Sequence, residues 1–383
     1  MSDTLTKQET PEPVVKRKDL TDEERFYMAS QWQLMWRKFR RHKLAIIGGS
    51  VLVIFYLGAI FCGFVAPYDR FHRNSDYSFG QPTRITFINA DGKFTLRPHV
   101  FAYHRARNPE TLQLEFTVDK SRRYPIRLFN RGVEYEFWGL FKTKLHLFGV
   151  QEPGYIYLLG TDKLGRDIFS RILYGARVSL TIGLIGVSLS FLLGCLFGGI
   201  SGYYGGTVDT LIQRVIEYLI SIPTIPLWMA LAAAIPREWP PLRVYFAITV
   251  ILSIVGWCGL ARVVRGKLIS LREEDYVLAA RIAGEREMRI ITRHLLPSFM
   301  SYLIVNLTLA IPSMILGETA LSFLGLGIRA PAVSWGVLLN EAQQVQVVVL
   351  YPWLLFPGLF VIITVLAFNF LGDGLRDAAD PYR

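Results

Sequence analysis

Few side chains in this 383-residue chain are placed to do chemistry, and most of them lie in one charged stretch between two apolar runs. Glu274, Asp275, Tyr276, Leu278, Ala279, Ala280 and Gly284 have helical spacing. Leu278 pairs with Ile282, and Ala279 with Ala283, at i, i+4, which leaves a face of little bulk beside Ala280. Acids at positions 273–275 suit the positive N-terminal end of a helix dipole. Gly284 is the expected stop, since glycine tolerates positive φ without steric cost. Such a face performs recognition: it lets another protein approach the backbone closely. Three further polar groups stand in apolar surroundings. Glu217 has Arg214 one turn away as a structural partner, whereas Asn306 and Glu318 sit in or beside a later apolar run. A carboxylate at membrane depth either lines a translocation path or bonds to a neighbouring helix.

Catalytic motifs are missing. The nearest look-alike of a phosphate-binding loop, Gly266-Lys267-Leu268, lacks the hydroxyl residue that would hold Mg²⁺ and a correctly spaced earlier glycine. No zinc-protease H-E-x-x-H and no G-x-S-x-G elbow occurs. The six histidines show no ligand spacing, and Cys62, Cys195 and Cys258 all fall inside apolar runs, so neither a metal site nor a disulfide framework is expected. The chain reads as no enzyme and as binding no cofactor itself.

The elements that must carry these residues are membrane spans. Uncharged runs cover 44–66, 178–208, 218–236, 244–261, 298–317 and 342–372 in a chain that is 19% charged, and each is long enough to cross a bilayer. The net charge of +11 reflects basic residues flanking these runs, a topological signal and no sign of a nucleic-acid partner. Residues 1–43 read as a cytoplasmic tail followed by an interfacial helix, with a capping box at Thr21 and Glu24, aromatics at Phe26, Trp32, Trp36 and Phe39, and cations from Arg37 to Lys43. The first span follows at 44–66. Residues 67–159 form a β-rich extracytoplasmic insert, with strands expected at Arg84–Ile88, Lys93–Arg97, Thr111–Val118, Tyr124–Phe129, Val133–Trp138, Phe141–Phe148 and Tyr155–Leu159. Residues 160–383 hold five more spans, entered through an interfacial helix in which Arg166, Arg171 and Arg177 stay on the polar side. The loop 262–297 carries eight Lys or Arg against five acids, which places it and both termini in the cytoplasm.

Asp275–Pro297 resembles the cytoplasmic loop of permease subunits in binding-protein-dependent ABC importers, whose pattern is E-A-A, three residues, Gly, nine residues, Ile, one residue, Leu-Pro. Ala279-Ala280, Gly284 and Leu296-Pro297 match, while Leu278 replaces the Glu and His294 the Ile. Gly160–Leu180, Leu321–Gly327, the tail from Gly372 to Pro381 and Phe39–Gly49 are similar to the second permease subunit of dipeptide/oligopeptide-type systems. The resemblance covers 39–66 and 160–383. It implies an all-α polytopic membrane protein of six transmembrane helices, like a type I ABC importer permease, with the small β-rich domain between helices 1 and 2. It further implies residence in the bacterial inner membrane, a homologous second permease subunit, two ATPase subunits holding ATP and Mg²⁺, and an extracytoplasmic solute-binding protein. Glu274 to Gly284 would couple to an ATPase, and Glu217, Asn306 and Glu318 are candidates for the translocation path. The cargo would be short peptides or related small solutes. The alternative is an ion-coupled carrier or channel working without an ATPase.

Overall fold

The computed structural model describes residues 31–89, 92–107 and 114–379. The capping box at Thr21 and Glu24, with Phe26, lies outside them. Helix α1 (Gln31–Arg41) has Met35 buried against the bundle while Trp36 is exposed, stacked on Phe39 and under the Arg40 guanidinium. Helix α2 (Lys43–Ile60) is capped by His42, whose Nδ1 accepts from the Ala45 N–H at 3.1 Å. A short helical turn, Cys62–Val65, leads into the insert.

Two separate antiparallel sheets make up the insert. Strands β1 (Thr86–Ile88), β2 (Phe94–Arg107) and β3 (Leu114–Pro125) form the first, and β4 (Arg127–Phe137) and β5 (Phe141–Gly149) the second. A single strand, β4, replaces the two expected from Tyr124 to Trp138, and its register slips between Arg131 and Tyr135, around Gly132. Residues 90–91 of the expected first turn and 111–113 of the expected third strand are not described. Tyr155–Leu159 is no strand. Its backbone N–H groups go to side chains instead of a ladder: Ile156 donates to the Tyr68 hydroxyl at 2.9 Å and Tyr157 to Thr83 Oγ1 at 3.0 Å. Tyr155 and Tyr157 pack with Tyr77 and Tyr103 as the aromatic core below the first sheet.

The helical body contains α3 (Ile168–Tyr204), α4 (Gly206–Ser221), α5 (Thr224–Ala233), α6 (Pro241–Leu271), α7 (Asp275–Ile282), α8 (Met300–Phe323), α9 (Trp335–Glu341) and α10 (Phe356–Ala379). Among the described residues, five helices are long and apolar enough to span a bilayer. The run expected as a third span, 218–236, instead straddles two helices, α4 and α5, set at 86° across Ile222-Pro223. Pro223 lacks the N–H needed to continue α4, so the helix ends there. The sixth is a span if that bent pair crosses as one. No separate interfacial helix precedes α3, which runs unbroken for 37 residues, about 55 Å at 1.5 Å per residue. The last span likewise begins later than expected, at Pro352, after a short helix Val345–Leu350, and opens on the turn Pro352–Leu355.

Helices α3 and α6 meet almost backbone to backbone. Gly194, Gly198 and Gly202 recur every fourth residue on one face of α3. A Cβ at Gly198 would come 2.5 Å from the Ala261 carbonyl oxygen, and one at Gly202 2.7 Å from that of Arg265. In lipid, where apolar side chains gain nothing from association alone, such close contact is the main source of helix affinity. Gly183 and Gly186 give α8 similar access through Ile315 and Met314. Gly198→Leu should therefore cost the solubilised protein roughly 1–3 kcal/mol by overpacking, read as a lowered thermal midpoint. Gly266→Ala, whose added Cβ meets nothing within 4 Å inside α6, should hold the midpoint or raise it slightly.

Candidate coupling surface and buried charge cluster

Helix α7 sits at the end of the bundle remote from the insert. Glu274 is its N-cap residue and Asp275 opens its first turn. Val277 is fully buried among Tyr203 of α3, Leu268 of α6 and Ile290, Ile291 and Leu295 beyond the helix, with Ala280 packed beside it. The opposite face is open: Tyr276, Leu278, Ala279, Ala283 and Gly284 are exposed, and Ile282 is 89% exposed. Gly284 has φ +75°, and the N–H of Glu285 returns to the Ala280 carbonyl at 3.1 Å, which closes the helix.

Polar contacts fix this surface to the long helices. Arg281 donates through Nε to the Tyr203 hydroxyl at 3.2 Å and lies over its ring. Glu285 pairs with His294 at 2.9 Å and Arg289 at 3.6 Å. Beneath it, Arg265 of α6 grips Asp209 of α4 with two bonds of 2.5 Å, and Ser201 of α3 donates to the same carboxylate. A turn of π-helix, Ile290–Leu295, then carries the chain to Pro297 and α8.

A family model described as the binding-protein-dependent transport system inner membrane component matches residues 190–382, a range that holds α7 and all the helices it leans on except the first part of α3. The chain belongs to this family. A second model, the N-terminal TM domain of oligopeptide transport permease C, matches residues 30–82. The permease is 42% identical over 229 residues to the dipeptide transport system permease protein DppC of Bacillus subtilis, covering 60% of this chain and 70% of that protein. It is 39% identical to the oligopeptide transport system permease protein OppC of the same organism over 60% of this chain and 73% of that one. With OppC of Haemophilus influenzae the identity is 41%, over 59% of this chain and 70% of the relative. Strands β1 to β5 lie outside both family models except for the approach through residue 82.

The permease does not bring its three path candidates together. Glu217 is exposed and paired with Arg214 at 2.8 Å. Asn306 lies half-buried on a cavity of about 600 Å³ bordered by Tyr302 and Arg376. Glu318 is fully buried, accepting hydrogen bonds from Ser179 Oγ of α3 at 2.9 Å and Ser322 Oγ at 2.8 Å. Ser179 Oγ also accepts from the Trp335 N–H at 3.2 Å, so the carboxylate and two serines tie α3, α8 and α9 into one knot.

A second polar cluster involves Arg166 and Arg171, which the sequence spacing puts on the polar side of an interfacial helix. Both are buried. Arg171 donates through Nη1 to Asp162 at 2.6 Å and to Glu341 of α9 at 2.7 Å, while Arg166 bonds Asp162 at 2.6 Å and Glu341 at 3.2 Å. Burial acts to raise the Glu341 pKa, but the hydrogen bond and charge of Arg171, with Arg166 behind, hold it below the usual carboxylate range. The local signal was the quartet Asp162, Arg166, Asp167, Arg171 at near-helical spacing; its partner Glu341 is 170 residues from Arg171. Arg171→Met should leave two buried carboxylates sharing Arg166 alone and cost roughly 3–5 kcal/mol, seen as loss of the folded, monodisperse peak after solubilisation. Asp167 behaves differently: burial pushes its carboxyl up to about 7, against hydrogen bonds from Ser170. The folded chain therefore holds a proton that the unfolded one releases near pH 4, and stability falls as pH rises from about 4 to 7. Asp167→Asn should flatten the thermal midpoint across that window.

Proposed function

We propose that this chain is one half of the translocation pore of an ATP-driven peptide importer, and that α7 is the surface on which an ATPase subunit docks. The observation that carries the reading is the open face of Tyr276, Leu278, Ala279, Ile282 and Gly284 on a helix whose other face is anchored to α3 and α6. An element held rigidly on one side and bare on the other transmits displacement, and the energy passed on is limited by the partner's differential affinity for the two states of the pore. Leu278, standing where the family pattern has Glu, shifts the contact toward apolar and small side chains.

The end bearing α7 then faces the cytoplasm with both termini, and the insert faces outward. A homologous second permease would cover α4 and α5, which have only Ile216 and Ala232 buried and show Leu211 and Tyr218 nearly 70% exposed. ATP and Mg²⁺ belong to two partner ATPases, and a solute-binding protein delivers the cargo. Peptides are favoured because the dipeptide and oligopeptide permeases above are the relatives it matches. Glu318, sealed between serines, serves in this reading as a structural pin of the pore wall, while Asn306 on its cavity is the better path candidate.

Gly284→Asp places a charged side chain at a left-handed position on the docking face. In the complete transporter reconstituted into vesicles, membrane insertion should persist while peptide uptake per ATP hydrolysed falls about tenfold or more, equivalent to some 1.4 kcal/mol of lost coupling. Normal uptake would remove α7 as the docking element.

A further inference from the structure

The second hairpin of the insert turns back toward the bundle. Trp138 at its tip donates through Nε1 to the carbonyl of Ile60, the last residue of α2, at 3.0 Å. The Arg177 guanidinium of α3 lies 3.5 Å over the same indole. Phe137 stacks on Phe61 at 6.1 Å, and both ring nitrogens of buried His146 reach carbonyl oxygens, of Ala66 at 2.6 Å and Val133 at 2.8 Å. The hairpin is thus fastened to the point where α2 ends.

Its two faces differ. Register pairs Tyr135 with Thr143 and Phe137 with Phe141 on one side, and Glu136 with Lys142 on the other, where Glu134 also pairs with Lys142 and Lys144. The turn itself, Phe137-Trp138-Gly139-Leu140-Phe141, is apolar, with Leu140 79% and Phe141 57% exposed. Between the apolar face, α2 and the start of α3 runs a groove of about 790 Å³ whose lining includes no charged side chain. Its α2 wall, Ile54 and Leu57, continues into the exposed apolar flank of that span.

We infer that the β4–β5 hairpin is a membrane-seated element: its aromatic tip enters the leaflet on the insert side, and the groove behind it holds an acyl chain of a phospholipid. Four observations choose lipid as the occupant. The groove opens onto the exposed apolar flank of α2, at Ile54 and Leu57, on a helix long and apolar enough to span a bilayer. Its wall is apolar throughout the length of the α2 contact. The indole and the guanidinium stacked on it, next in the chain to Phe137 and Ala176 of the groove wall, are the pair of groups that settle at headgroup level. The charged face of the hairpin turns away from the groove, as an interfacial element requires. A protein partner on the hairpin is the competing occupant that the test separates. The inference needs only that α2 and α3 span the bilayer and is independent of cargo.

The experiment uses the full chain with its co-purified subunits in nanodiscs containing phosphatidylglycerol. Leu140→Cys, labelled with a nitroxide, should show greater collisional access to oxygen than to a water-soluble nickel chelate. Greater nickel access, or protection from both relaxants by a protein cover, overturns the seating. Trp138 gives a second reading free of any label: brominated acyl chains should reduce the emission difference between wild type and Trp138→Phe to about half, and an unquenched difference counts against the proposal. For the groove, Gly58→Phe fills the space beside Leu173. Native mass spectrometry of the solubilised complex should then show one fewer retained phospholipid, and an unchanged count overturns the acyl-chain site. A Gly58→Ala control should keep the lipid.

Discussion

Helix α3 approaches α6 to backbone distance because Gly194, Gly198 and Gly202 carry no side chain there, and the rest of the molecule is built outward from that contact. In a bilayer the hydrophobic effect cannot press helices together, so close packing and internal polar bonds must do so. At one end the α3–α6 pair supplies Tyr203 and Leu268, the surface on which Val277 seats α7. At the other end α3 supplies Arg171, which binds Glu341, and Ser179, which binds Glu318. One helix therefore touches both the coupling surface and the polar knots that hold α8 and α9.

Those knots illustrate how charge is tolerated inside the protein. Arg171 and Asp162 are both almost wholly buried, and a lone charge in that position would cost several kcal/mol. Each instead meets oppositely charged partners in charge-assisted bonds, with only the Nε of Arg171 left without an acceptor. Glu318 has no cation beside it among its bonded partners; serine hydroxyls meet its oxygens. Such arrangements contribute orientation more than stability, because they fix which helix faces which.

The insert divides into two parts with different tasks. The first sheet rests on a tyrosine core around Tyr77 and is joined to the helical body through Thr161, whose hydroxyl accepts from the Gly80 N–H and whose carbonyl accepts from the Trp353 indole. The second hairpin is held against the end of α2 by Trp138 and His146. The insert is thus attached at the end of the first span, at the approach to the last and, through Arg177 on Trp138, at α3, the one of these helices that also seats α7 at its other end.

Periodicity and charge determined a good deal by themselves. Runs free of charge over 18 or more residues gave five of the six expected spans, the run 218–236 being broken into a bent pair, since few other structures bury so long an apolar segment. The spacing of Leu278, Ile282 and Gly284 gave α7 and its end, because helix pitch and the need for positive φ are local properties. Alternation gave β3, and the turn-rich stretch at 89–92 gave the β1–β2 hairpin. What needed the tertiary structure was every feature whose partner is distant in the chain. The length of α3 and the 86° break after α4 depend on neighbours that a hydropathy window does not see. Arg166 and Arg171 look like surface cations until Glu341 is folded against them, and Tyr155–Leu159 looks like a strand until Tyr68 and Thr83 take its N–H groups. Sequence spacing fixes what a residue can do with neighbours a few positions away, and only the fold decides which groups 100 or more residues apart share one low-dielectric site.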